Sequence, residues 1–171
     1  MKINFGCGDN PGKGFVGCDI RPLPNVKYVC NAWRIIEFVK PETVEVISSR
    51  HFLEHLIPYH ADLTLMAWYK ILKPGGIVHC EVPDLMYHCK QYLDIKNRQK
   101  QSQLNGPKTN IQHAMAGFYG WQRGEKGDIW DLHKWGYDFD MLKELFQKHN
   151  FKNIKRINNK KIWNLIIETN K

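Results

Sequence analysis

Residues 2–20 read KINFGCGDNPGKGFVGCDI, two short β-type runs joined by a glycine-rich turn. The first run, Lys2 to Phe5, is followed by Gly6-Cys7-Gly8, and the second, Phe15 to Ile20, carries Asp19 near its end. Two glycines around one residue let the chain turn sharply after a parallel strand and let a ligand approach the main chain. An acid at the end of the next strand falls at the same edge of the sheet. The stretch therefore predicts a ligand site there, with a tight turn and a solvated aspartate as the alternative.

This turn departs from the known phosphate-binding motifs. The dinucleotide fingerprint needs a third glycine where Pro11 stands, and its acid comes about 20 residues on, much further than Asp19. Gly12-Lys13-Gly14 lacks the serine or threonine and the spacing of a P-loop. Because the two strands leave hardly any room for a helix between them, no helix N-terminus is expected to hold a pyrophosphate. A ligand with an adenosine and no phosphate fits better.

Further β-type runs alternate with helical segments along the chain. They are Val26 to Cys30, Val44 to Ser48, Ile77 to Val82, Asn153 to Ile157 and Ile162 to Glu168. Several are almost continuously apolar, as in a parallel sheet, and the last two read as a hairpin. A helix is expected from about His60 to Leu72, and Lys73-Pro74-Gly75-Gly76 ends it. The fold class is therefore α/β: a Rossmann-like, doubly wound, mostly parallel seven-stranded sheet with an antiparallel strand near the C-terminus.

Charge and composition limit the partners. The net charge is +8, and the basic excess lies in residues 86–113 and 143–171, which suits either a solvated lysine-rich face or an anion site. The five cysteines are never spaced as CxxC, so reduced thiols are expected. Since no apolar run could span a bilayer and no signal peptide is visible, we expect a cytoplasmic protein without a membrane partner. Nothing in the pattern predicts an oligomeric state.

An ordered set of motifs resembles a known family. Besides Gly6-Cys7-Gly8 and Asp19, the chain carries Asn31-Ala32-Trp33, the segment from Ser48 to Leu56 (SSRHFLEHL), and Leu72 to Gly76 (LKPGG). Together they resemble class I S-adenosylmethionine-dependent methyltransferases, and more narrowly the small members that read GCG, SSHxLEH, LKPGG and VPD. The match spans roughly residues 2–84. His133 to Tyr137 is similar to the C-terminal pattern of those proteins.

This resemblance implies S-adenosylmethionine as the cofactor and assigns residues to it. Gly6, Cys7 and Gly8 would approach its methionine part, and Asp19 would bind the ribose hydroxyls. The adenine would be bordered by Asn31, Ala32 and Trp33. The family usually has Asp where this chain has Asn31. In the alternative interpretation, Trp33 is the first core residue of a helix from Arg34 to Val39. Ile20 and Ser49 complete the expected cofactor site.

One domain, residues 1–171, is expected, because this length builds a single sizeable core. Residues 1–84 form its cofactor-binding half, 85–137 a substrate-side excursion and aromatic loop, and 138–171 a closing helix and hairpin. Asp84 and Asp138 are expected to cap helices. The stretch from Lys96 to Asn110 reads as an exposed excursion, and Gly117 to Gly136 reads as a structured loop.

Two histidines are candidates for catalysis. His51 follows a strand end where this fold faces the transferred methyl group, and His133 lies beside Asp131, which would orient it. Either could instead be a structural hydrogen-bonding group. Substrate contacts are expected from Asp84, Tyr119 and Trp135. The expected acceptor is a small molecule or a glycan; a nucleic acid is possible but not favoured, because the basic residues are not interleaved with aromatic ones.

A rival interpretation uses His51-x-x-Glu54-His55. This H-x-x-E-H pattern can place two zinc ligands on one helical face, as in a zinc hydrolase. Such a site also needs a third protein ligand, and no downstream motif marks one. The LKPGG segment favours the methyltransferase, so no metal is expected. A non-catalytic module of the same fold, binding nucleic acid or a protein, stays open as well.

Overall fold

The computed structural model describes residues 1–102, 108–122 and 129–171. Seven strands form one sheet: β1 Lys2–Phe5, β2 Val16–Asp19, β3 Val26–Val29, β4 Val44–Arg50, β5 Leu72–Pro83, β6 Lys152–Ile157 and β7 Asn164–Asn170. The α-helices of the described residues are α1 Pro58–Ile71, α2 Leu85–Leu93, α3 Asn110–Tyr119 and α4 Phe139–Lys148, and short 3-10 helices cover Ala32–Glu37, Leu53–His55 and Ile129–Asp131. Within that part of the chain, no helix is long and apolar enough to cross a bilayer.

The strand order confirms the predicted fold class. The sheet runs β3-β2-β1-β4-β5-β7-β6. β7 is antiparallel to both of its neighbours, and the other pairs are parallel. The order of winding reverses between β1 and β4, as it does in doubly wound sheets, and ligands of such sheets bind at the carboxyl ends of the strands beside this reversal.

The hydrophobic core lies on one face of the sheet. Ile47 of β4 pairs with Ile3 and with Val78, and all three side chains are fully buried. Trp68 of α1 packs on Phe5 with ring centroids 5.0 Å apart. Burial of such large side chains contributes roughly 1.5–3 kcal/mol each, and it holds the first strands and α1 together.

The opposite face of the sheet is partly open to solvent. Burial alternates along β5: Val78 and Cys80 are buried, whereas Ile77 and His79 are exposed. His79 faces Glu168 of β7 on this open side. A short apolar run in the sequence does not by itself show whether one face of a strand is buried or both.

Most predicted helix limits are confirmed. α1 starts two residues before the predicted His60, with Pro58 in its first turn. Asp84 accepts hydrogen bonds from the backbone N–H groups of Met86 and Tyr87 at 3.0 and 3.2 Å, and Asp138 caps α4 in the same way. The LKPGG segment does end α1, and its residues 73–76 then form an irregularity at the start of β5, between the Val44 and Val46 pairings.

Helix α3 was missed by the sequence interpretation. It begins at the end of the predicted excursion and continues into the predicted loop, and its start carries a signal: Thr109 and Gln112 form a capping box. Residues 103–107 and 123–128 of those two predicted segments lie outside the described residues. The helix expected from Arg34 to Val39 is the 3-10 helix Ala32–Glu37.

Candidate cofactor site and adjoining cavity

A cavity of about 560 Å³ opens where the first four strands end. Each strand contributes a residue to its lining: Gly6 follows β1, Asp19 ends β2, Asn31 follows β3, and His51 follows β4. The strand order brings these residues together although they are spread over more than a quarter of the chain. The cavity therefore occupies the reversal point of the sheet, where doubly wound folds bind their ligands.

The turn after β1 needs its glycines. Gly6 has φ of 63°, and a Cβ there would lie 2.6 Å from Cδ2 of Phe52. Its backbone N–H donates to the carbonyl of Cys18 at 2.9 Å, which ties the turn to β2. Gly8 has φ of 59° and donates its N–H to Oδ2 of Asp19 at 2.9 Å. Of the predicted turn residues, Gly6 lines the cavity, whereas Cys7 and Gly8 do not; Gly8 supports the site through Asp19.

Asp19 is held by its neighbours. Oδ1 accepts from the backbone N–H and Nε of Arg21, and Oδ2 accepts from Nη2 of Arg21 as well as from Gly8. Burial by itself would raise the pKa of Asp19, but these hydrogen bonds outweigh it and hold the pKa below its usual value. A ligand hydroxyl that binds Asp19 must therefore displace or share a donor of Arg21, a residue that the motifs did not single out.

The residues after β3 form the far side of the cavity. Asn31, Ala32 and Trp33 all line it, as does the exposed Ile20. Trp33 is not a simple core residue: its indole stacks on the imidazole of His60 at 4.1 Å, and both rings line the cavity. Ser49, which was expected in the same site, is buried within β4 and lies outside the lining.

A second cavity of about 320 Å³ adjoins the first and shares three lining residues with it, His51, His55 and Asp131. The rest of its lining combines aromatic rings with cationic groups. These include Arg50, His88, His113, Trp121, His133, Lys161 and Trp163. A molecule bound in this cavity would lie beside a ligand of the first.

His51 links the two cavities. Its φ is 50°, a conformation uncommon for a residue other than glycine and often found at functional sites. Nδ1 lies 3.1 Å from Oε1 of Glu54, and Nε2 lies 3.2 Å from Nδ2 of Asn164, whose amide also donates to Glu81. Since a carboxylate accepts and an amide NH₂ donates, Nδ1 carries the proton and Nε2 is the acceptor. Asn164 carried no sequence signal, because β7 is distant from His51 along the chain.

His133 lies in the wall of the second cavity. Its Nδ1 lies 2.9 Å from the carbonyl oxygen of Gly117, so a backbone group, and not the predicted Asp131, orients the ring. Burial lowers the pKa of His133 and favours its neutral form.

The three residues predicted to contact substrate lie outside both cavities. Asp84 is only 4% exposed, caps α2 and is paired with Arg156. Tyr119 ends α3 and is 55% exposed. Trp135 lines a separate cavity beside α4. The aromatic loop does reach the site, but through Trp130 in the first cavity and Trp121 in the second.

The zinc-hydrolase geometry is absent from the described segment 51–55. His51 is the residue after β4 and has a positive φ, and a 3-10 helix of three residues, Leu53–His55, comes shortly after it. His51 and His55 therefore do not share one face of an α-helix, which the H-x-x-E-H interpretation requires.

Solved structures share this fold. A SAM-dependent methyltransferase from Archaeoglobus fulgidus superposes with a TM-score of 0.63 at 15% identity, covering 99% of this chain and 85% of that one. A putative S-adenosylmethionine-dependent methyltransferase from Listeria monocytogenes gives 0.63 at 16% identity, covering 99% and 89%. A Burkholderia thailandensis 1,6-didemethyltoxoflavin-N1-methyltransferase with bound 1,6-didemethyltoxoflavin and S-adenosylhomocysteine gives 0.60 at 14%, covering 99% and 70%.

The chain has the fold of class I S-adenosylmethionine-dependent methyltransferases. No known protein family and no curated protein matches its sequence. The likeness is one of backbone architecture, so the activity must be argued from the residues of the two cavities.

Two neutral imidazoles beside the second cavity of this methyltransferase fold predict pH-dependent stability. Burial lowers the pKa of His88 to about 3 and that of His113 to about 4. Below about pH 6.5, where an unperturbed imidazole titrates, the unfolded chain binds more protons than the folded one, and stability is lost as the pH falls. We expect the free energy of unfolding to drop by roughly 1–2 kcal/mol per imidazole between pH 7 and pH 5. Urea unfolding measures the drop, which should be smaller in His113→Asn; an equal drop would contradict the assignment.

Proposed function

We propose that the protein transfers a methyl group from S-adenosylmethionine to a hydroxyl of a small molecule or glycan. The observation that carries this proposal is the 560 Å³ cavity, which gathers an acid, an amide and an indole at the reversal point of a methyltransferase-type sheet. Asp19, Asn31 and Trp33 are the groups that an adenosine needs: a carboxylate for the ribose, a hydrogen-bonding amide for the adenine edge, and an aromatic surface.

The shape of the cavity also suits a cofactor without phosphates. The β1–β2 connection of the described chain is a glycine turn and holds no helix, so no helix N-terminus faces a pyrophosphate. Gly6 lines the cavity with its backbone, and the methionine part would lie beside it. The GCG, LEH and LKPGG segments support the narrower resemblance to small methyltransferases that carry the same motifs.

Methyl transfer depends mainly on positioning, with help from a base when the acceptor is a hydroxyl. When bound, S-adenosylmethionine supplies a methyl group that forms a bond to the acceptor oxygen as its bond to sulfur breaks. We assign the acceptor's proton to Nε2 of His51, because Nδ1 is already protonated and held by Glu54. The acceptor hydroxyl would take the place of the Asn164 amide at Nε2. His133 lines the second cavity, and the carbonyl of Gly117 orients its ring.

The second cavity supports a small or sugar-like acceptor. The indoles of Trp121 and Trp163 offer apolar surfaces for a sugar ring, and the neutral His88 and His113 can hydrogen-bond to hydroxyls. Arg50 and Lys161 stand in the same lining and suit an acceptor that carries an acidic group.

A nucleic acid is not the favoured acceptor. Two arginines of the basic segments 86–113 and 143–171 already have partners within the protein. Arg156 is paired with Asp84, and the Arg98 guanidinium lies 5.4 Å from the ring centroid of Tyr92. Methyl-labelled S-adenosylmethionine offered with sugars or with RNA tests the choice. We expect label in sugars carrying free hydroxyls; label in RNA alone would contradict the proposed acceptor class.

Asp19→Asn tests the cofactor site. Removing the charge should weaken S-adenosylmethionine binding by about 10- to 100-fold, because a charge-assisted hydrogen bond contributes roughly 1–3 kcal/mol. Calorimetric titration measures the affinity. Glu37→Gln is the matched control, since Glu37 is also paired with an arginine, Arg34, but lies outside the cavity. Unchanged affinity in Asp19→Asn would place the ribose elsewhere.

A further inference from the structure

Three side chains that can bind a metal converge between the two cavities. Glu54, His55 and His133 each offer one ligand atom, and these atoms lie within 4.8 Å of one another. Glu54 and His55 are neighbours in a 3-10 turn, whereas His133 comes from the segment after α3. Backbone N–H groups of Lys134 and Trp135 donate to the carbonyl of Glu54 at 2.7 and 3.1 Å and hold that segment against the turn.

The two imidazoles are oriented as metal ligands are. Nδ1 of His55 lies 2.9 Å from the carbonyl oxygen of Leu132, and Nδ1 of His133 lies 2.9 Å from that of Gly117. Because a carbonyl oxygen only accepts, each Nδ1 carries the ring proton, and each Nε2 keeps its lone pair. Metal-bound histidines commonly donate their second ring N–H to a backbone carbonyl, which fixes the tautomer and the ring direction.

Glu54 supplies an independent observation. The residue is 1% exposed, and its Oε1 is held by Nδ1 of His51. Oε2 is also buried, and among the described residues no group donates a hydrogen bond to it. Burying an unpaired carboxylate oxygen is unfavourable unless a cation or a donor meets it. A cation suits all three groups, because each neutral imidazole keeps a lone pair at Nε2 and the carboxylate keeps an unpaired oxygen.

We propose that Glu54, His55 and His133 bind a divalent transition-metal ion such as Zn²⁺, Mn²⁺ or Fe²⁺. Two imidazoles and one carboxylate form a ligand set that these ions accept, whereas Mg²⁺ and Ca²⁺ prefer oxygen ligands. Metal–ligand bonds of about 2.0–2.2 Å place the ligand atoms of a tetrahedral site roughly 3.3–3.6 Å apart, so each side chain needs to move by about 1 Å to close the site. The sequence predicted no metal because no motif marked a third ligand; the fold brings His133 to that place.

The position of the ion suggests its role. Three protein ligands leave coordination positions open, and His55 lines both cavities while His133 lines the second. A hydroxyl of the acceptor can occupy an open position, which orients it toward the first cavity and makes it more acidic. This role rests on the proposed function, whereas the binding of the ion does not.

Cobalt(II) provides the test, because its visible absorption reports nitrogen and oxygen ligands directly. The whole protein, stripped with a chelator and dialysed, is titrated with Co²⁺, and Zn²⁺ is then added as a competitor. We expect one equivalent to bind, and His133→Ala to weaken binding by at least about 10-fold. Glu54→Gln should have the same effect with a nearly unchanged side-chain volume. His79→Ala is the control, since His79 is exposed on the open face of the sheet.

Each outcome bears on one proposal. Stoichiometric Co²⁺ that is weakened by His133→Ala or by Glu54→Gln, but not by His79→Ala, supports the site. No bound Co²⁺ in the wild-type protein, or equal binding in every folded variant, overturns it. Thermal melting shows which variants are folded. If His133→Ala does not fold, the Co²⁺ affinity of Glu54→Gln decides whether the proposed site binds the ion. Calorimetry with S-adenosylmethionine on the stripped protein tests the methyltransferase proposal separately, because the cofactor residues are not metal ligands.

Discussion

Gly6→Val should abolish S-adenosylmethionine binding, with a loss of at least about 100-fold. The residue has φ of 63°, which is strained by roughly 1–3 kcal/mol for a side chain other than glycine. A Cβ would also lie 2.6 Å from the Phe52 ring, so either the ring or the turn must move, and both line the cavity. Calorimetric titration measures the affinity, and thermal melting shows whether the variant is folded.

Gly12→Val is the matched control for this loss. Gly12 also has a positive φ, 86°, but no atom lies within 4 Å of its Cβ position and it does not line the cavity. The control therefore carries the backbone strain without the obstruction, and it should bind the cofactor with nearly wild-type affinity. If folded Gly6→Val binds as tightly as Gly12→Val, the cofactor does not lie in this cavity.

His51→Ala should lower the rate of methyl transfer by about 10²- to 10⁴-fold, the usual contribution of a general base. The imidazole lines both cavities with an accepting Nε2, and its Nδ1–H is fixed by the buried Glu54. The affinity for S-adenosylmethionine should change far less than the rate. Radioactive methyl transfer to a hydroxyl acceptor measures the rate, and calorimetry measures the affinity.

Two further variants separate a base from a structural support. His51→Gln retains a hydrogen-bonding side chain but no basic nitrogen, so its rate should remain as low as that of His51→Ala. His79→Ala removes an exposed histidine from the open face of the sheet and should leave the rate unchanged. A nearly wild-type rate in His51→Gln would show that the ring only supports the turn.

The residues that line the first cavity were largely predictable because they lie in short local motifs. Strand ends that carry glycine, acid and amide groups are short motifs, and parallel strands bring their carboxyl ends to one edge. Gly6, Asp19, Asn31 and Trp33 accordingly line one cavity. Arg21 and His60 share that lining but carried no signal, because a single arginine or histidine outside a motif looks like any surface residue.

The acceptor side could not be predicted residue by residue. The aromatic segment around 117–137 was recognised, yet Trp121 and Trp130 reach the cavities whereas Tyr119 and Trp135 do not. An irregular segment has no fixed period, so the direction of each ring depends on packing against the rest of the chain. For Asp84, the sequence showed the capping role but not the pairing with Arg156 of β6.

The sequence by itself determined the strands and most of the helices, the glycine turn and the acid at the end of β2. These features depend on backbone conformation and on apolar periodicity, which neighbouring residues encode. Only the tertiary structure decided which distant side chains meet. Asn164 reaches His51 because β7 inserts antiparallel beside β5, and His133 reaches Glu54 because backbone hydrogen bonds draw its segment over the turn. Such contacts arise from the packing of separate elements, and no spacing along the chain records them.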